Sequence, residues 1–128
     1  MLTLPPSVRI YLATTPIDMR KSIDGLCAVV RNAWQLDAFS GYLFVFASRR
    51  GDRIKILYWD RGGFVVYYKR LERGRFKLPP FDVSASSAEI EGAELSMLLD
   101  GIDARTVRKP NRWQPPRSTI EQNRIDMR

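Results

Sequence analysis

At 128 residues with a formal net charge of +7, the chain is about one domain long and basic enough for a polyanion to be the first partner to consider. It has no histidine, which removes the usual general base near neutral pH, the Ser-His and Cys-His nucleophile pairs and the commonest zinc ligand. One cysteine, Cys27, excludes an internal disulfide and any multi-cysteine metal site, and no apolar run approaches the roughly 20 residues a membrane-spanning helix needs.

Met1 to Arg9 does not read as a secretory signal, because Pro5 and Pro6 interrupt it and no apolar stretch follows, so a cytoplasmic location is expected. From Ser7 to Ala13, Val8, Ile10 and Leu12 alternate with Arg9 and Tyr11, which predicts a half-buried strand. Ser22 to Trp34 predicts a helix, with Ile23, Leu26 and Val30 at three- and four-residue intervals and Cys27 beside them as a buried small hydrophobe. Gly25 weakens that helix, which suggests a close neighbour. Tyr42 to Ala47 is a continuous apolar run that fits a central strand covered on both faces. Arg49 to Asp52 supplies a turn. Arg53 to Trp59 then returns as a strand, with Ile54, Ile56 and Tyr58 facing one way and Lys55, Leu57 and Trp59 the other.

A second turn is expected at Asp60 to Gly63. After it, Phe64, Tyr67, Tyr68 and Leu71 have helical spacing, with Gly74 as the C-cap; a helix is preferred here over a third strand because KRLERG is poor strand sequence. Arg75 to Leu78 is expected to be extended, up to Pro79-Pro80. Ser86 and Glu89 form an S-x-x-E pattern ahead of Ile90, Leu95, Leu98 and Leu99, which predicts a helix starting there and closing at Asp100-Gly101. From Lys109 the chain is basic and proline-containing, and Trp113 among Arg112, Pro115, Pro116 and Arg117 is a candidate docking residue. The expectation is one α+β domain over residues 1–108, an antiparallel sheet of about three to five strands with two or three packed helices, and a flexible tail over 109–128.

The charge is segregated. Residues 49–77 carry ten basic and three acidic side chains, whereas residues 78–104 carry six acids and no base. Two cationic clusters stand out in the basic segment, interleaved with Tyr58, Trp59, Tyr67 and Tyr68. Arg49, Arg50, Arg53 and Lys55 crowd a hairpin turn, where they would contact phosphates or enter a groove as a ribbon. Lys69, Arg70, Arg73 and Arg75 form the second, with Lys69, Arg70 and Arg73 on the open face of the expected helix and Arg75 just beyond its Gly74 cap. The plain alternative for the first is an exposed turn that keeps the hairpin soluble. Most of the aromatics are expected to pack in the core, while stacking on unpaired bases is their alternative use. Asp18, Asp24, Asp52 and Asp60 are the residue type that holds Mg²⁺ in strand-transfer enzymes, but Asp52 and Asp60 fit turns, and nothing in the spacing gathers three of them.

Four ordered motifs carry a family resemblance: DMRKSIDGL at 18–26, F-x-x-RRGDRIKILYWDRGGF at 46–64, YKRLERGRF at 68–76 and LLDGID at 98–103. Together they resemble the small TnpB accessory protein of the insertion-sequence family numbered sixty-six, which is encoded beside the transposase. The likeness covers roughly residues 3–105. Ala47-Ser48 before the arginine pair and Leu78 before the proline depart from the family pattern, and the tail after Arg117 lies outside it. The resemblance implies a role in transposition beside a separate transposase that carries the strand-transfer chemistry. Taken with the charge map, it leads to a non-catalytic accessory factor that binds DNA, with the cognate transposase as a further partner and with no cofactor, small-molecule ligand or membrane. The alternative is an adaptor that binds the transposase without touching DNA, using the tail or the acidic 89–103 segment.

Overall fold

The computed structural model describes residues 7–101. Five strands form one sheet: β1 (Ile10–Ala13), β2 (Leu43–Ala47), β3 (Arg53–Asp60), β4 (Gly63–Arg70) and β5 (Ser87–Ile90). Among the described residues two helices accompany them, α1 (Ile23–Ala28, continued by a wider turn over Val29–Ala33) and α2 (Gly92–Leu99), and a 3-10 turn spans Ala38–Ser40. The strand order is β4-β3-β2-β1-β5. Every neighbouring pair is antiparallel except β1 and β2, which run parallel and are joined by the α1 crossover. The expected α+β domain is therefore present, with one parallel pair inside a mostly antiparallel sheet. The tail expected at 109–128, including Trp113, lies outside the described residues.

Alternation along the strands divides the core into two layers. Ile10, Leu12, Leu43, Val45, Ile54 and Ile56 pack toward Leu95, Leu98 and Leu99 of α2. Tyr11, Phe44, Phe46 and Leu57 pack toward Leu26, Cys27 and Val30 of α1. Cys27 is buried, as its place on the apolar helix face predicts, and burial pushes its thiol up. All five residues of β2 are buried, in agreement with a central strand covered on both faces. β1 corrects its expectation: it is buried on both sides, because α2 covers its Ile10 and Leu12 face, α1 covers its Tyr11 face, and β2 and β5 flank its edges. Its polar neighbour Arg9 stays at the surface in a two-pronged pair with Glu89 of β5, at 2.7 and 3.0 Å.

Two helix expectations are corrected. Residues 63–70 are strand β4, not a helix. The spacing of Phe64, Tyr67 and Tyr68 fits a helix, but Val65-Val66 and Tyr67-Tyr68 favour a pleated surface. The preceding turn decides between them: Arg61 (φ 42°) and Gly62 (φ 89°) are both left-handed. That is the signature of the two-residue turn whose twist suits a hairpin. It sets Asp60 opposite Gly63 and carries the register up to Arg53 opposite Arg70. An added Cβ at Gly62 meets nothing within 4 Å, so Gly62→Ala is expected to cost only the backbone term, roughly 1–2 kcal/mol, readable in urea unfolding. The last helix starts later than Ser86. Ser87–Ile90 pairs with β1, and α2 begins at Gly92, where the Glu91 N–H donates to the Glu94 carboxylate at 2.9 Å. Ala88 and Ile90 flank Glu89 with a strand period, which competes with the capping pattern and prevails at the free edge of β1.

Candidate nucleic-acid interface

The turn from β2 to β3 is built around Ser48. Its Oγ accepts from the N–H groups of Gly51 and Arg53, both at 3.2 Å, and donates to Asp52 at 3.3 Å. Gly51 takes φ +80°, a conformation that strains any side chain there. These bonds close the turn with Arg49 and Arg50 outermost and exposed. The segment after β4 is fastened to the same turn: the Leu71 N–H donates to the Asp52 carbonyl at 2.7 Å, and the Phe76 N–H to the Gly51 carbonyl at 2.8 Å. Phe76 is buried in the α2-side core and anchors the loop that carries Arg73 and Arg75. Arg50, Arg73 and Arg75 consequently border one hollow together with Asp52 and Glu72.

On the α1 side, the loop after β1 faces this turn across a cleft of about 550 Å³. Pro16 to Arg20 form one wall and Ser48 to Arg50 with Asp52 and Arg53 the other. The loop is held by Lys55, whose Nζ donates to the carbonyls of Met19 and Lys21, both at 2.8 Å. Gly25 lets Lys21 lie against α1, since a Cβ there would come within 3.2 Å of the Lys21 side chain. That is the close neighbour its place in the helix suggests. Arg20 pairs with Asp18 at 2.7 Å, and Arg70 with Glu72 at 3.2 Å. Both pairs are exposed and hence weak. Among the described residues, Arg49, Arg50, Arg53, Arg73 and Arg75 form no ion pair.

The hydrogen bonds from Arg20 hold the Asp18 carboxyl down at about 2. A carboxylate depressed in this way adds stability above its ordinary value, and that stability is lost as pH falls toward the depressed one. An acid titration of the Asp18 carboxyl followed by NMR is expected to give a midpoint near 2, moving upward in Arg20→Ala.

The amino-acid sequence places the chain as well. The family described as "IS66 Orf2 like protein" matches residues 8–109. The chain belongs to this family. IS66 Orf2-like proteins are accessory proteins associated with transposition. The protein is 39% identical over 104 residues to "Uncharacterized protein y4jC" of Sinorhizobium fredii, covering 80% of this chain and 87% of that protein. It is 37% identical over 115 residues to "Uncharacterized protein y4hO" of the same organism, covering 90% and 96%. No solved structure matches the chain.

In this IS66 Orf2-like chain the eight cations singled out by sequence fall into two groups. Arg49, Arg50, Arg53, Arg73 and Arg75 meet at one end of the sheet around the Ser48 turn. Lys55, Lys69 and Arg70 hold other contacts. Lys55 ties down the 16–21 loop, Lys69 donates to the Leu99 carbonyl at the end of α2 at 2.7 Å, and Arg70 pairs with Glu72. Because 63–70 is a strand, Lys69 and Arg70 point to opposite faces rather than sharing a helix face. Arg53 and Arg70 are direct partners across β3 and β4. Tyr58 and Tyr67 pack on the α2-side core, Trp59 packs with Phe39 and Phe64, and Tyr68 remains 49% exposed. Asp18 and Asp52 border the cleft, while Asp60 sits at the far end of β3. Among the described residues, no group of three potential metal ligands forms. No helix there is long and apolar enough to cross a membrane. Arg20 and Ser48 join this region without belonging to the two cationic clusters of the sequence; the two-residue spacing of Asp18 and Arg20 and the turn-forming tendency of serine are the signals that point to them.

Proposed function

We propose that the chain is a non-catalytic accessory factor that assists transposition of its insertion sequence by binding DNA through the arginine-rich end of the sheet. Arg49, Arg50, Arg53, Arg73 and Arg75 make the phosphate contacts, Arg20 and Arg70 join by exchanging their carboxylates for phosphates, and Lys55 and Lys69 hold the frame. The observation that carries this reading is the cross-strand pair Arg53 and Arg70. Like charges placed directly opposite on neighbouring strands destabilise a sheet, and a polyanion lying over them removes that cost. Arg49, Arg50, Arg73 and Arg75 add to the same end. The bonding of the turn favours binding too, because a fixed backbone presents its arginines with little ordering left to do.

A mobility-shift series over increasing salt tests this reading. Affinity for element-end and unrelated DNA is expected to fall steeply, with a logarithmic slope near −0.9 per phosphate neutralised on a duplex. Flat binding from low to moderate salt would remove the proposal. The adaptor reading draws support from the trio Phe39, Trp59 and Phe64, whose rings meet at 5.0–5.1 Å with Phe39 58% exposed. Exposed aromatic clusters suit protein partners. Capture of the transposase from nuclease-treated extract separates the two, since an adaptor keeps its partner after DNA is destroyed.

A further inference from the structure

Tyr68 is set apart from the other aromatics of the hairpin by its neighbours. Its strand partner is Lys55, whose Nζ lies 5.5 Å from the ring centroid and is fixed by the two loop carbonyls. One side of the ring is thus backed by an immobilised cation, while about half of the residue is open to solvent. Two residues along β4 on the same face, about 7 Å away, stands Arg70, opposite Arg53. A flat ring held from behind, with two guanidinium groups one strand repeat away, matches what a nucleotide presents when its base is unpaired. Paired bases in a duplex are stacked on each other and cannot reach such a ring.

We propose that this surface takes a single strand, with one unpaired base stacked on Tyr68 and the adjoining phosphates held by Arg53 and Arg70. The assignment rests on reading the arginine-rich end as the nucleic-acid surface and specifies the strand form it accepts. Base–aromatic stacking is worth roughly 1–3 kcal/mol per base, or roughly 5- to 150-fold in affinity.

The test is fluorescence anisotropy of the full chain with a labelled single strand of roughly 16 nucleotides, the same sequence as a duplex, and a strand carrying abasic sites. The single strand is expected to bind more tightly than the duplex. Tyr68→Ala is expected to weaken single-strand binding about tenfold or more, with the duplex changed less than about twofold, and Tyr68→Phe to retain binding because the ring is kept. The abasic strand should bind the parent chain as weakly as the intact strand binds Tyr68→Ala, with no further loss when the two changes are combined. Equal losses on single strand and duplex, or a Tyr68→Phe variant as weak as Tyr68→Ala, would overturn the assignment. If the parent chain binds neither form, the reading of the arginine-rich end itself has failed. If it binds both and ignores Tyr68, only the stacking has. Circular dichroism of each variant shows whether the sheet is intact.

Discussion

Replacing Arg49, Arg50 and Arg53 together by alanine is expected to lower DNA affinity on the order of 10²-fold at low salt and to flatten the salt dependence. Three lost phosphate contacts reduce the logarithmic slope by about 2.7 on a duplex and about 2.1 on a single strand. The fold should hardly respond. Arg49 and Arg50 are exposed, and the turn is closed by Ser48 and by backbone groups rather than by their side chains. Removing Arg53 also relieves its apposition to Arg70. Thermal unfolding close to that of the parent chain, beside a large loss of binding, is the combined result that marks these residues as contacts. An unchanged slope would mean that phosphates are neutralised elsewhere.

Lys55→Met is expected to show the reverse pattern. The substitution keeps most of the apolar stem but removes the ammonium that joins β3 to the Met19 and Lys21 carbonyls and backs the Tyr68 ring. Hydrogen bonds to charged groups contribute about 1.5–3 kcal/mol each, and the two share one donor, so a loss of about 2–3 kcal/mol is expected. For a domain of this size that lowers the unfolding midpoint on the order of 10 °C. Binding should weaken as the 16–21 wall of the cleft loosens and as the Tyr68 ring loses the cation behind it, with the salt slope unchanged. A slope reduced by about one, with stability intact, would instead make Lys55 a phosphate contact.

The sheet was largely legible where a single period dominated. The all-apolar run of β2 and the alternation Ile54, Ile56, Tyr58 against Lys55, Leu57, Trp59 each led to the observed burial. Legibility failed where two periods coexisted. Phe64, Tyr67 and Tyr68 satisfy a helix and a strand about equally, and the left-handed pair Arg61-Gly62 in the turn just before them chose the strand by closing a hairpin onto β3. Ser86 and Glu89 match a helix start, yet pairing along the free edge of β1 drew Ser87–Ile90 into the sheet. The site divides in the same way. The clustering of Arg49, Arg50 and Arg53 follows from adjacency in the chain, whereas the approach of Arg73 and Arg75 depends on the two bonds from Leu71 and Phe76 to the Ser48 turn. Nor does a lysine's sequence context reveal whether it faces solvent or a carbonyl. Lys55 and Lys69 look like their arginine neighbours until the loop after β1 and the end of α2 are placed.

The most direct measurement is an NMR titration of the full chain with nucleic acid, following backbone amides and arginine Nε–Hε groups. The largest changes are predicted at Arg49, Arg50, Arg53, Arg70, Arg73 and Arg75 and along the 16–21 loop, with α2 and β5 nearly silent. Changes centred on α2 or on the Phe39, Trp59 and Phe64 trio, with the arginine signals unmoved at saturation, would contradict the account.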